Sequence, residues 1–258
     1  MGLIQRAIGG GFILTLLLLL TYLGHNALSI GVIIFSSIAL YEIRRCFKKL
    51  KYDFSYTLAL FYNLLIMIAA YLNSDSLYVF VIIFTIVSAL IYMLFNKKYR
   101  LSDLSVMLFS LTYISVLMSH MIRFSDQNFH WILYIIAWGS DTFAYLVGST
   151  IGSHKIKSIS HISPNKTIEG SIGGVVGTVI LVLIYNSFIP INTNTLVLIL
   201  STIICSILSQ IGDLVASYIK RYAGIKDYGN IIRGHGGILD RFDSMLFISP
   251  IIYYITLI

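Results

Sequence analysis

The chain holds eleven acidic residues, and six of them stand in its last 120 positions: Asp141, Glu169, Asp213, Asp227, Asp240 and Asp243. Asp141, in WGSDTFAYLVGS, and Asp213, in SQIGDLVASYIK, each sit near the end of an apolar run. A carboxylate at membrane depth is costly, so such an acid lines a cavity, pairs with a cation or holds a metal. The plainer alternative is an acid that reaches the interface or pairs with a loop lysine. Asp240 and Asp243, in GILDRFDSM, are three residues apart and share a face if a helix opens there. Acids in a first helical turn also serve as simple dipole partners. With Asp213 they form a set of hard oxygen ligands, the kind Mg2+ takes when it is shared with a substrate phosphate.

Cations and glycines supply the other half of this chemistry. Between Lys220 and Ser244, eight of 25 residues are charged, among them Lys220, Arg221, Lys226, Asp227, Arg233 and Arg241. In RGHGGILD, glycines surround His235 just before an expected helix, and such a turn lets backbone N–H groups approach an anion. Lys220, Arg221, Lys226 and Arg233 can neutralise phosphate oxygens, the arginines two at a time. His235 either orients a phosphate, moves a proton or simply caps the turn. A second polar loop reads HISPNKTIEGSIGG: Ser163-Pro164 starts a turn, Lys166 and Thr167 offer a cation and a hydroxyl, and Glu169 enters a helix. Gly170 with Gly174, and Gly173 with Gly177, have the small-xxx-small spacing of closely packed helices. These residues point to phosphoryl or nucleotidyl transfer on a lipid, without naming the reaction.

The elements that must position them follow from composition. Of the 258 residues, 57% are hydrophobic and 11% charged, against about 25% charged in a soluble domain. So much apolar surface does not fit one water-soluble core, and the expected class is an all-α polytopic membrane protein. Nine spans are expected near 8–24, 26–42, 54–72, 76–95, 104–122, 129–148, 170–189, 194–216 and 243–258, each roughly matching a ~30 Å hydrocarbon core. With the N-terminus in the cytoplasm, 17 of the 18 Lys and Arg residues fall on the cytoplasmic side and only Arg123 falls outside. This positive-inside bias predicts an odd number of crossings, with N-terminus in and C-terminus out. It also puts the polar loops 149–169 and 217–242 in the cytoplasm, so the active site is expected on the cytoplasmic side of the C-terminal helices. Residues 1–125 read as plain membrane helices and 126–258 as the catalytic part. The first apolar run reads as a membrane helix rather than a cleaved signal. Two distant cysteines, Cys46 and Cys205, predict neither a disulfide nor a thiolate metal site. The net charge of +7 suits anionic headgroups or phosphates. Nucleic-acid binding is not expected, because the basic residues come in short loops between apolar runs.

The segment SYIKRYAGIKDYGNIIRGHGGILDRFD, Ser217 to Asp243, resembles the hallmark of phosphatidate cytidylyltransferases: Ser-x-x-Lys-Arg, then Lys-Asp, then His-Gly-Gly-x-x-Asp-Arg-x-Asp. The matching positions are Ser217, Lys220, Arg221, Lys226, Asp227, His235, Gly236, Gly237, Asp240, Arg241 and Asp243. Upstream, SPNKTIEG, Ser163 to Gly170, and SDTFAYLVG, Ser140 to Gly148, resemble two further family patterns. The resemblance covers roughly 138–245. The chain departs from it at Ala216, where the family usually has Glu, at Arg233, usually Pro, and at Ser149, usually basic. The resemblance implies transfer of the cytidylyl group of CTP to phosphatidic acid, giving CDP-diacylglycerol and pyrophosphate for phospholipid biosynthesis. It implies Mg2+, with room for a second, monovalent cation such as K+, at a site built from Asp213 and Asp240 and joined by Asp243. The implied catalytic and CTP- or lipid-binding groups are Lys220, Arg221, Lys226, Asp227, His235 and Asp141. Ser163, Lys166, Thr167, Glu169, Ser217, Gly236, Gly237 and Arg241 complete the pocket. The same likeness implies a homodimer, and a start without a soluble extension or transit peptide leads to the expectation of a bacterial plasma membrane location. The rival readings are a CTP-dependent polyprenol or phytol kinase, which would release CDP in place of pyrophosphate, a secondary transporter, and an inactive lipid-binding paralogue.

Overall fold

A computed structural model describes residues 3–124, 126–191, 193–229 and 236–256, with side chains from Ile13 onward. The described residues are built of helices, with no named strand among them. The chain divides into two compact units: Met1–Arg123 with Tyr222–Arg241, and Phe124–Arg221 with Phe242–Ile258.

The first unit carries α1 (Leu3–Tyr22), α2 (His25–Lys49), α3 (Tyr56–Tyr71), α4 (Asp75–Phe95) and α5 (Leu101–Ser110). A π-helical stretch, Leu111–Val116, then leads into α6 (Leu117–Ser119). Serines start two of these helices: Ser55 accepts the Leu58 N–H and Ser74 accepts the Leu77 N–H, pairing donors that a helix leaves open. Leu40, Ile43, Ala59, Met67 and Ile114 pack the interior with almost no exposure. In hydrocarbon, polar contacts add to packing, and buried Asn63 of α3 donates to the hydroxyls of Ser36 (3.0 Å) and Ser37 (3.2 Å) of α2.

The second unit carries α7 (Asn128–Thr150), α8 (Ile168–Phe188), α9 (Thr195–Tyr222) and most of α10 (Leu239–Ile255). Glycine sets the closeness of α7 and α8. A Cβ on Gly170 would lie 2.7 Å from the Ala144 carbonyl oxygen and 3.1 Å from the Gly148 Cα. One on Gly174 would lie 2.9 Å from the Ser140 carbonyl oxygen, and Gly177 packs directly on the Phe143 ring. The small-xxx-small spacing is thus used for backbone approach. α9 and α10 meet in the same way, since a Gly212 Cβ would stand 2.7 Å from the Asp243 carbonyl oxygen.

Among the described residues, six helical stretches are long and apolar enough to cross a membrane: α2, α4, Leu101–Ser119, α7, α8 and α9. Helix also covers the other three expected spans, but Ile13–Tyr22 and α3 are shorter apolar helices, and α10 has 17 residues with Pro250 inside. The second polar loop is shorter than its sequence predicts, because α9 runs on to Tyr222. Ser217, Lys220 and Arg221 are therefore helical. Cations favour a helix C-terminus, and Gly224, with φ +65°, takes the left-handed conformation that ends it. At 1.5 Å per residue this 28-residue helix is about 42 Å long, longer than a ~30 Å core. The first polar loop likewise narrows to 151–167.

Candidate functional site

The second unit holds a half-open cavity of about 230 Å³ lined by residues of α7, α8, α9 and the loop before α8, including Asp141, Asn165, Lys166, Thr167, Gln210 and Asp213. The loop delivers Lys166 by local bonding. The Ser163 carbonyl accepts the Lys166 N–H across the turn (3.4 Å). A short antiparallel bridge pairs Lys155 with Thr167. Thr167 then caps α8, its hydroxyl accepting the Gly170 N–H at 3.1 Å. Lys166 Nζ reaches the Asp213 carboxylate at 2.6 Å and the Gln210 carbonyl at 3.4 Å. Gln210 is itself fixed by donating to the Ser171 carbonyl (3.1 Å) and the Ser140 hydroxyl (3.4 Å).

Two more acids face this pair. Asp243 is buried, and its Oδ1 accepts the Ser244 N–H at 2.8 Å. The charges acting on it come from Asp213, Lys220 and Asp141. Asp141 opens on the cavity and accepts from the Ser244 hydroxyl at 3.5 Å. The structure thus brings Asp141, Lys166, Asp213 and Asp243 into one electrostatic group, with buried Lys220 beside it. Ser217 stands four residues after Asp213 on α9, on the same helical face. Glu169 points elsewhere: it accepts from the Ser153 hydroxyl (3.0 Å) and the His154 N–H, and pairs with the His154 ring. It pins the loop that carries Lys166. Arg221 is exposed at the end of α9.

The first unit holds the glycine turn. Asp240 Oδ2 accepts the Gly237 N–H at 2.8 Å and the Tyr228 N–H at 2.9 Å. Gly236 has φ +82°, the left-handed region that suits glycine. Lys226, Asp227 and Arg241 are exposed. His235 and Arg233 lie outside the described residues. One acid at this turn has no signal in the sequence: Glu42 of α2 is 1% exposed, and its carboxylate accepts the N–H groups of Ile238 (3.0 Å) and Leu239 (2.8 Å). The N–H groups of Gly237, Ile238 and Leu239, expected to face a phosphate, are thus taken by carboxylates of the chain itself.

Among the described residues, no group of three or more His, Cys, Asp or Glu side chains is placed to hold a metal alone. The donor set still fits Mg2+ shared with a ligand, since that ion takes one or two carboxylates and fills its shell with phosphate oxygens and water. Asp213 supplies such a carboxylate, with Asp141 and Asp243 close enough to act on its charge.

Residues 4–258 match the model of the cytidylyltransferase family. The chain belongs to that family. It is 42% identical over 159 residues to the phosphatidate cytidylyltransferase of Staphylococcus haemolyticus, an alignment covering 61% of this chain and 60% of the relative. The corresponding proteins of Staphylococcus saprophyticus and Staphylococcus aureus are 39% and 42% identical over the same lengths. The chain spans about 60% of the length of the curated relatives it matches. Lys166, Asp141 and Asp213 line the cavity, and Asp243 and Lys220 stand beside them in the second unit.

Proposed function

We propose that the protein transfers the cytidylyl group of CTP to phosphatidic acid, releasing pyrophosphate and forming CDP-diacylglycerol. The observation that carries this reading is the Lys166–Asp213 pair in a cavity shared with Asp141, in a chain of the cytidylyltransferase family. A phosphate oxygen of the lipid attacks the α-phosphorus of CTP, and the bond from that phosphorus to the bridging oxygen of the β-phosphate breaks. Two anions must meet, so the protein's part is positioning and charge neutralisation rather than covalent chemistry. Lys166 and Lys220 meet phosphate oxygens from inside the second unit. Arg221, Lys226 and Arg241, exposed on their own segments, serve incoming phosphates or the lipid headgroup. Mg2+, when bound, neutralises phosphate charge, with Asp213 and Asp243 as its holders and Asp240 added by the sequence pattern; K+ is the monovalent companion proposed for it. Asp141 and Gln210 orient the groups around Lys166.

The same reading places nine crossings in a bacterial plasma membrane, the N-terminus and the polar loops in the cytoplasm, and the working form as a homodimer. The first test is an assay of the detergent-purified chain with phosphatidic acid, CTP and Mg2+, following pyrophosphate and CDP-lipid together. Equal amounts of both, lost in Asp240→Asn, are expected. CDP formed with a polyprenol acceptor in place of pyrophosphate would move the assignment to the lipid kinase.

A further inference from the structure

Glu42 stands in a basic stretch at the end of α2, YEIRRCFKK, yet it is one of the most deeply buried charged residues described. Buried acids in membrane helices are costly and persist where they bind something. Here the partners are backbone N–H groups nearly 200 positions away, at Ile238 and Leu239. The fit around the carboxylate is tight. A Cβ on either Gly229 or Gly237 would collide with its oxygens. Asp240 completes the arrangement by taking the Gly237 and Tyr228 N–H groups.

The first N–H groups of a helix have no partner within it, and together they make an anion site. At α10 that site is filled from within. Three successive donors, Gly237, Ile238 and Leu239, are each paired with a carboxylate, two of them with Glu42. A single neutral acceptor does not replace it: a carboxamide offers one acceptor oxygen and turns an N–H against the second donor.

We infer that Glu42 is a positioning residue: its carboxylate holds the turn 236–239 at the start of α10 and thereby fixes the direction of Asp240. Phosphate recognition then falls to side-chain cations, because these backbone donors are already in use. The effect on turnover rests on the cytidylyl-transfer reading; the hold on the turn does not.

Two readouts separate these levels. Hydrogen exchange of the full-length protein in detergent follows the amides of 237–239 in the parent, Glu42→Gln and Glu42→Ala. Exchange at Ile238 and Leu239 is expected to rise at least about tenfold in Glu42→Ala, and less in Glu42→Gln, with the later turns of α10 unchanged. Unchanged exchange at those amides overturns the proposal. Steady-state kinetics form the second readout. A kcat/KM for CTP lowered at least about tenfold, with the KM for phosphatidic acid within about twofold of the parent, marks positioning of the nucleotide side of the site. Equal losses for both substrates, in step with a lowered unfolding temperature, would reduce Glu42 to a structural contact and overturn it. Should Glu42→Ala fail to fold, Glu42→Gln, which keeps the size and one acceptor, carries both measurements. If the parent makes no pyrophosphate, the functional reading fails, and exchange alone decides whether Glu42 holds the turn.

Discussion

Lys166 carries the heaviest demand of any side chain in the cavity. Its ammonium group lies 2.6 Å from Asp213 and half-buried, and Asp141 acts on it as well. Replacing it with Met keeps the length of the chain and removes the cation. Loss of one donor aimed at developing charge typically costs about a hundred- to thousandfold in kcat, and we expect that loss in the pyrophosphate-release assay. Activity within threefold or so of the parent would remove Lys166 from the reaction. Asp53 makes a different residue-scale case. It lies in the turn between α2 and α3, where burial alone would raise its carboxyl, but hydrogen bonds from Arg44 (2.7 Å) and Lys48 (3.3 Å) prevail and hold it below the ordinary 3.8. A folded-state value below the unfolded one gives stability that is complete above about pH 4 and fades as pH falls through the folded value. Asp53→Asn should therefore unfold at a slightly lower temperature than the parent at pH 7, with the gap closing in acid. The effect is small because the carboxylate is partly open to solvent. A gap of constant size down to pH 3 would contradict the assignment.

At the scale of elements, glycine placement makes a prediction of different size at two sites. Within a helix, Gly→Ala gains up to about 1 kcal/mol from propensity. At Gly148 the new Cβ would meet the Thr167 hydroxyl at 3.1 Å and the Gly170 Cα at an ordinary 3.6 Å, so the change should be near neutral. At Gly170 it would meet the Ala144 carbonyl at 2.7 Å and the Gly148 Cα at 3.1 Å, and backbone cannot rotate aside. Overpacking of this kind costs about 1–3 kcal/mol, so thermal unfolding in detergent should rank Gly170→Ala well below Gly148→Ala. The reverse order would mean that α7 and α8 do not meet as described. This packing was legible in sequence because small-xxx-small spacing is local. So was most of the helix layout, since apolar runs declare themselves residue by residue. The end of α9 was misread because Ser217, Lys220 and Arg221 look like loop residues by polarity, although cations suit a last helical turn. Glu42 was hidden for the opposite reason: its partners are remote in sequence and are backbone groups, which leave no trace in residue type. Thr167 and Glu169 were found by position, but the bonds they make, capping α8 and pinning the loop, depend on the folded path of residues 153–170.

At the scale of the whole molecule, the question is which ends of the helices share a side of the membrane. α3 has 16 residues, about 24 Å of helix, which is short for a ~30 Å core. If it failed to cross, the basic clusters at 44–51 and 97–100 would face opposite sides. The first unit argues against that separation. Arg100 donates to the Lys51 carbonyl at 2.9 Å, and Asp103 accepts the Asp53 N–H at 3.0 Å, so both basic loops sit at one end of that unit. The basic residue assigned to the other side, Arg123, is ion-paired with Asp75 and stacked 4.6 Å from the Tyr78 ring. Its charge is offset where it stands, and it weighs little against the positive-inside bias. Both native cysteines are buried, so exposed single cysteines report the topology with little background. Lys98→Cys and Ser158→Cys should resist a membrane-impermeant maleimide on intact cells and react after permeabilisation, while Asn73→Cys and Asn194→Cys should react in both. Labelling of Lys98→Cys on intact cells, together with Asn73→Cys, would show that the α3–α4 pair does not return the chain to the cytoplasm, and the nine-crossing arrangement would fall with it.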